Sequence, residues 1–149
     1  MRITLEAFGE VQLDRELMRI SRNAADMRPA FDSIHQDVLK DDRAQFSSEG
    51  GRFSGGWRPL AASTVAAKAR GGFDLRILHR TLRLRNSLTQ PGHADHIYQT
   101  TADEMHFGSR VPYGVFHQLG RGVPRRRPFE LDTAARREIM KHLQRHLLG

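Results

Sequence analysis

Ile97-Tyr98-Gln99-Thr100-Thr101-Ala102-Asp103-Glu104-Met105-His106-Phe107-Gly108 is the stretch on which the fold class turns. Its first half is β-branched and aromatic, which suits a pleated strand. Ala102-Asp103 turns the chain, and the return run places Met105 and Phe107 two residues apart, on one face. The pattern predicts a β-hairpin. Pro91-Gly92 bounds it upstream and Pro112 downstream. Most of the rest of the chain reads at helical period, so the fold class is α+β: helices packed against a small, mostly antiparallel sheet.

Working back from the hairpin, Leu78, Leu82, Leu84 and Leu88 fit a short helix, which the alternation around Arg83 and Arg85 turns towards strand near Ser87. A helix is expected from about Ser63, as its cap, to Arg70, stopped by Gly71-Gly72. Before it, residues 47–56 hold four glycines in ten and read as a flexible loop. Two helices are expected at about 11–25 and 28–46, separated at Pro29. The first carries Leu13, Leu17, Ile20 and Ala24 at helical spacing. The second carries Phe31, Ile34, Val38 and Leu39 on one face, with Asp32, Asp37, Lys40, Asp41 and Arg43 on the other. Ile3, Leu5 and Ala7 alternate with polar residues, the period of a half-buried N-terminal strand.

Working forward, a helical turn is expected at 113–119, stopped by Gly120. Arg121 to Pro128 then forms a basic loop. The last element is an amphipathic helix capped by Asp132, with Ala135, Ile139, Leu143 and Leu147 as its apolar stripe. At 149 residues the chain suits one domain, 1–149, able to bury a core without staples. No apolar run approaches a membrane span, and Met1-Arg2-Ile3-Thr4-Leu5 lacks the apolar block of a signal peptide. A soluble protein made in the cytoplasm is expected, and the lack of cysteine excludes disulfides and thiolate metal sites.

The formal charge is +7, unevenly spread. Residues 1–46 carry 7 basic and 9 acidic side chains, 7 − 9 = −2, and residues 47–149 carry 17 and 8, 17 − 8 = +9. A basic part of this kind faces nucleic acid, the acidic face of a neighbouring subunit, or only solvent, and charge alone separates none of these. Arg125-Arg126-Arg127, with Arg121 before it, is the best candidate for phosphate, with Phe129 or Tyr113 available to stack on bases. No groove-recognition motif accompanies it. The favoured reading is a basic loop pairing with acidic side chains of an adjacent subunit.

Two histidine pairs raise a metal. His93-Ala94-Asp95-His96 places two imidazoles and a carboxylate together, and His142 and His146 stand one helical turn apart. Neither has the rest of a site, and cations surround the second, so neither a metal nor a cofactor is expected. No nucleophile elbow or paired carboxylates stand out, and an enzyme is not expected. Trp57, the only tryptophan, with Pro59 and Leu60, reads as local core under the glycine loop.

Taken in order, Phe53-x-x-Gly56-Trp57-x-Pro59-Leu60, Thr64 and Lys68, Ile77-Leu78-x-x-Thr81, Ser87-Leu88, Val111-Pro112-Tyr113, His117-Gln118-x-Gly120 and Arg127-Pro128-Phe129 resemble the phage virion-morphogenesis, or tail-completion, family of Mu-like and related tailed phages. The resemblance covers nearly the whole chain. The family often reads Thr-Gly where this chain has Thr81-Leu82, and Pro-Phe-Leu where it has Pro128-Phe129-Glu130, changes that bear on local turn geometry. The resemblance implies a structural protein used late in virion assembly, in completing the tail or joining it to the head. It implies a ring of identical subunits around the portal–tail axis that meets tail tube or tail terminator and head or connector proteins, with transient DNA contact and no membrane. Location would be the host cytoplasm, then the neck or tail end of the virion. No catalytic residues come with the family. Trp57, Tyr113, His117 and Phe129 then become fold and interface positions beside Arg121, Arg125, Arg126 and Arg127.

Overall fold

The computed structural model describes residues 10–53 and 55–149, and the strand expected around Ile3, Leu5 and Ala7 lies outside them. In chain order the elements are α1 (Glu10–Ala24), α2 (Arg28–Ser47), α3 (Ala62–Arg70), α4 (Arg83–Thr89), β1 (His96–Thr100), β2 (Met105–Ser109), α5 (Gly114–Leu119) and α6 (Thr133–Leu148). β1 and β2 form the expected hairpin, antiparallel with Tyr98 opposite Phe107 and Thr100 opposite Met105. The fold is α+β.

α2 is the spine. Its 20 residues span about 30 Å at the α-helical rise, long enough to serve two apolar clusters. Near its start, Phe31, Ile34 and Val38 pack against Ile139 and Leu143 of α6, with Met105, Phe107 and Phe129. Near its end, Phe46 joins Trp57, Ile77, Leu84, Leu88 and Val111. Phe107 touches both clusters, so the hairpin bridges them. The backbone N–H of Met27 donates to Ala102 O in the hairpin turn at 2.7 Å and fixes the start of α2 there.

Local rules hold at several ends. The Asp132 carboxylate accepts from Ala135 N at 2.7 Å and caps α6. Gly120, at φ 71°, stops α5. α3 closes through Gly72, at φ 66°, with Phe73 N donating to Lys68 O and Gly72 N to Ala69 O, the paired bonds of a Schellman end.

Elsewhere packing overrides the local reading. The cap position of α3 is Ala61, not Ser63, and no side chain caps it. The chain enters α3 directly from Leu60, which packs on the core, so docking sets the start. No strand forms near Ser87. Its hydroxyl donates to Leu84 O at 2.7 Å and meets Ser109 Oγ at 2.6 Å, which keeps α4 helical and pins it to β2. The break comes earlier, at Leu78 and Leu82, whose φ angles are 58° and 60°. Leu82 therefore sits in the left-handed region, which costs a non-glycine residue roughly 1–2 kcal/mol.

The buried face of α2 also carries polar groups. Gln45, fully buried, donates from Nε2 to Arg127 O at 3.0 Å and accepts from Phe53 N at 3.1 Å. His35 Nε2 faces His96 Nε2 at 3.1 Å, and His96 Nδ1 meets Ser87 O at 2.7 Å. The His35 ring stacks on Tyr98, with centroids 3.7 Å apart, and the Tyr98 hydroxyl donates to Asp32. Asp42 is 1% exposed, and neither carboxyl oxygen has a hydrogen-bond partner among the described residues. Burial, with Asp41 beside it, pushes its pKa up to about 8.

Candidate functional site

The basic loop does not present three arginines together. Arg126 is buried and turned inward, donating to Arg58 O at 2.8 Å and Pro59 O at 3.0 Å. Burial lowers its pKa, and Arg58 adds to that. Arg127 pairs with Glu130 at 2.6 Å. Its carbonyl accepts from Trp57 Nε1 at 3.1 Å and from Gln45, so it stitches the loop to the core. Arg121 and Arg125 remain exposed, and the Arg125 Nε donates only weakly, to Gln118 O at 3.4 Å.

Trp57 is core, as expected. It is buried and meets Phe46 edge-on at 5.4 Å. The start of the glycine loop folds beneath it: Trp57 N donates to Glu49 O at 2.7 Å, and Gly50 N to Gln45 O at 2.8 Å. Gly50 has φ 90°, and a Cβ there would lie 2.4 Å from Trp57 Cδ1, so only glycine fits. Phe129 is partly buried against Phe107, with centroids 5.6 Å apart.

α5 is the surface element. Val115, Phe116 and Leu119 are 48–49% exposed, and Tyr113 is 37% exposed. Its inner side carries His117, whose backbone carbonyl accepts from Arg126 N at 3.0 Å. The His117 Nδ1 is buried without a hydrogen-bond partner among the described residues. Burial lowers the His117 pKa, and Arg126 lowers it further.

Between α3, α5 and the 121–126 loop run two adjoining clefts of about 610 and 430 Å³, which share Leu78, Arg80 and His117. Leu60, Leu84 and Pro124 supply apolar wall, and Arg58 and Arg80 stand exposed at the edge. Lys68 closes the floor by donating to Arg76 O at 2.6 Å, and burial lowers its pKa. Among the described residues no carboxylate lines either cleft. The groove is therefore apolar and electropositive. Sequence reading missed Arg58 and Arg80, because the chain distance between them hides their shared rim.

The histidine pairs weighed for metal are spent on the fold. His93 Nδ1 accepts from Asp95 N, and His96 meets His35. His142 Nε2 lies 2.7 Å from Asp37, and His146 Nε2 meets the carbonyls of Asn23 and Asp26. No cluster of three or more metal-ligating side chains occurs among the described residues.

A second uncovered surface is α1. It packs antiparallel to α6: His146 meets Asn23 O, Asn23 donates to Leu147 O, and Arg19 donates to Leu148 O at 2.6 Å. α6 thus ends level with Arg19, and α1 continues past it. Leu13 and Leu17 are 58% and 54% exposed, and Val11 and Met18 are each 66% exposed. The expected apolar stripe is present, but its front half packs on no other element among the described residues.

Among the described residues no helix is long and apolar enough to cross a membrane. No curated protein and no solved structure matches the chain. The model of the phage virion morphogenesis family matches residues 10–148, so the chain belongs to that family and takes a structural part in building a phage virion.

Proposed function

We propose that the chain is a tail-completion or head–tail joining subunit that works as a ring of identical copies and catalyses no reaction. It acts at the neck or tail end of the virion, between tail tube or tail terminator protein on one side and head or connector protein on the other. One observation carries this reading beyond family membership. Among the described residues thirteen large hydrophobic side chains are exposed, against twelve hydrophobic residues buried. They concentrate on α1 and α5, two separate surfaces: α1 lies on α6, while α5 borders the groove. A lone soluble protein rarely leaves contiguous apolar surface open. Two unlike surfaces on one chain suit a heterologous contact, the kind that closes a ring.

Light scattering at low and moderate salt, with and without tail tube protein, tests the proposal. A discrete oligomer supports it, and a chain that stays monomeric in every mixture refutes it. A second reading, transient contact with DNA threading the ring, is favoured by exposed Arg121 and Arg125, which have no acidic partner among the described residues. It requires binding that weakens steeply with salt.

A further inference from the structure

We propose that the projecting front half of α1 docks into the groove between α3 and α5 of an adjacent copy of this chain. The proposal rests on the ring reading above and names the two surfaces that would meet. The front half runs from Glu10 to Leu17, about 12 Å of helix at the standard rise. Leu13 and Leu17 lie one turn apart on one face, and Asp14 flanks Leu17 at the i,i+3 spacing. From residue 10 to residue 17 the charges are Glu10, Asp14 and Glu16 against Arg15, a net of −2.

The groove offers the complement. Its walls are apolar at Leu60, Leu78 and Pro124, its rim is cationic at Arg58 and Arg80, and among the described residues no carboxylate lines it. His117, whose buried Nδ1 has no hydrogen-bond partner among the described residues, lines the same wall. An acidic helix with a leucine stripe satisfies both the apolar wall and the rim charge, which is helix-in-groove recognition. A nucleic acid would satisfy the rim but leave the leucines of α1 and the apolar walls uncovered, so a second copy is the better occupant. The arm cannot fill its own groove, because Arg19 and Asn23 hold α1 along α6.

The contact is heterologous: each copy gives an arm and receives one. This makes a sharp test. One variant carries Leu13→Ser and Leu17→Ser, and the other Arg58→Glu and Arg80→Glu. All four side chains are exposed, and buried Trp57 reports through its fluorescence that each variant folds. Each variant alone should need at least tenfold more protein than the native chain to self-associate in light scattering. Mixed together they should form one-to-one dimers and nothing larger, since only one arm and one groove remain intact per pair. A native chain that oligomerises while both variants oligomerise equally well overturns the arm-in-groove contact and leaves the ring standing. A native chain that stays monomeric at every concentration, and with tail tube protein, overturns both.

Discussion

Replacing Asp42 by asparagine should make the protein more stable at neutral pH and leave it unchanged in mild acid. Asp42 is 1% exposed, makes no hydrogen bond among the described residues, and has its pKa pushed up to about 8 from 3.8. The folded chain thus keeps a proton that the unfolded chain gives up. With the folded value above the unfolded one, stability is full below about pH 4. It declines as pH rises towards 8 by about 1.4 kcal/mol per pH unit. At pH 7 roughly three pH units of that window have been crossed, a loss of about 4 kcal/mol, which is a large share of the total of about 5–15 kcal/mol for a domain. Asparagine has the same shape and burial but never ionises, so it removes the slope. The assay is urea unfolding followed by Trp57 fluorescence from pH 4 to pH 9, for both proteins. The difference should be near zero at the acid end and grow to about 4 kcal/mol at pH 7, on the order of 10 °C in Tm. Titration of other groups cancels in the comparison. A difference that stays flat across the range would show that Asp42 is ionised and solvated in the folded chain, and would refute the reasoning.

Other changes have defined outcomes. Gly50→Ala sets a methyl 2.4 Å from Trp57 Cδ1 at φ 90°, and it should cost at least about 3 kcal/mol in the same urea experiment. Leu82→Gly relieves a left-handed leucine at the cap of α4, and should gain about 1 kcal/mol in thermal unfolding. Arg126→Ser should destabilise the fold by about 2 kcal/mol, because a buried side chain that ties the loop to the carbonyls of Arg58 and Pro59 is lost. By contrast Arg121→Ser with Arg125→Ser should leave Tm unchanged while flattening any salt dependence of assembly or DNA binding.

The hairpin, α5 and α6 were legible in the sequence because their signals are local: a turn between a β-branched run and an alternating one, a glycine stop, an aspartate cap. Ser87 was not, since what keeps it helical is Ser109, far along the chain. The arginine tract misled for a geometric reason. Neighbouring arginines in an irregular loop need not share a side, and here Arg126 goes in while Arg125 goes out. Asp42 escaped because helical periodicity assigns charges to the outer face, and this one lies one turn before Phe46 on the inner face. The stripe on α1 was visible, but a period reveals a face and not what covers it. The groove was invisible altogether, as it assembles residues from three separate stretches.

The His35–His96 contact has a consequence for where protons reside. A carbonyl oxygen only accepts, so His96 must carry hydrogen on Nδ1 to meet Ser87 O. Its Nε2 is then a lone pair, and the hydrogen between the two rings must belong to His35. Each imidazole is thereby locked into a single, different tautomer by a carbonyl on α4. Two N–H groups facing one another across 3.1 Å would repel, so the seam between α2 and the hairpin depends on one of the two facing nitrogens keeping its lone pair. Burial already lowers the His35 pKa, and His96 adds to this. That contribution to stability is therefore present above the ordinary histidine range and lost as pH falls through it. In nitrogen-detected NMR the two rings should show opposite protonated nitrogens, a directional wire one proton long.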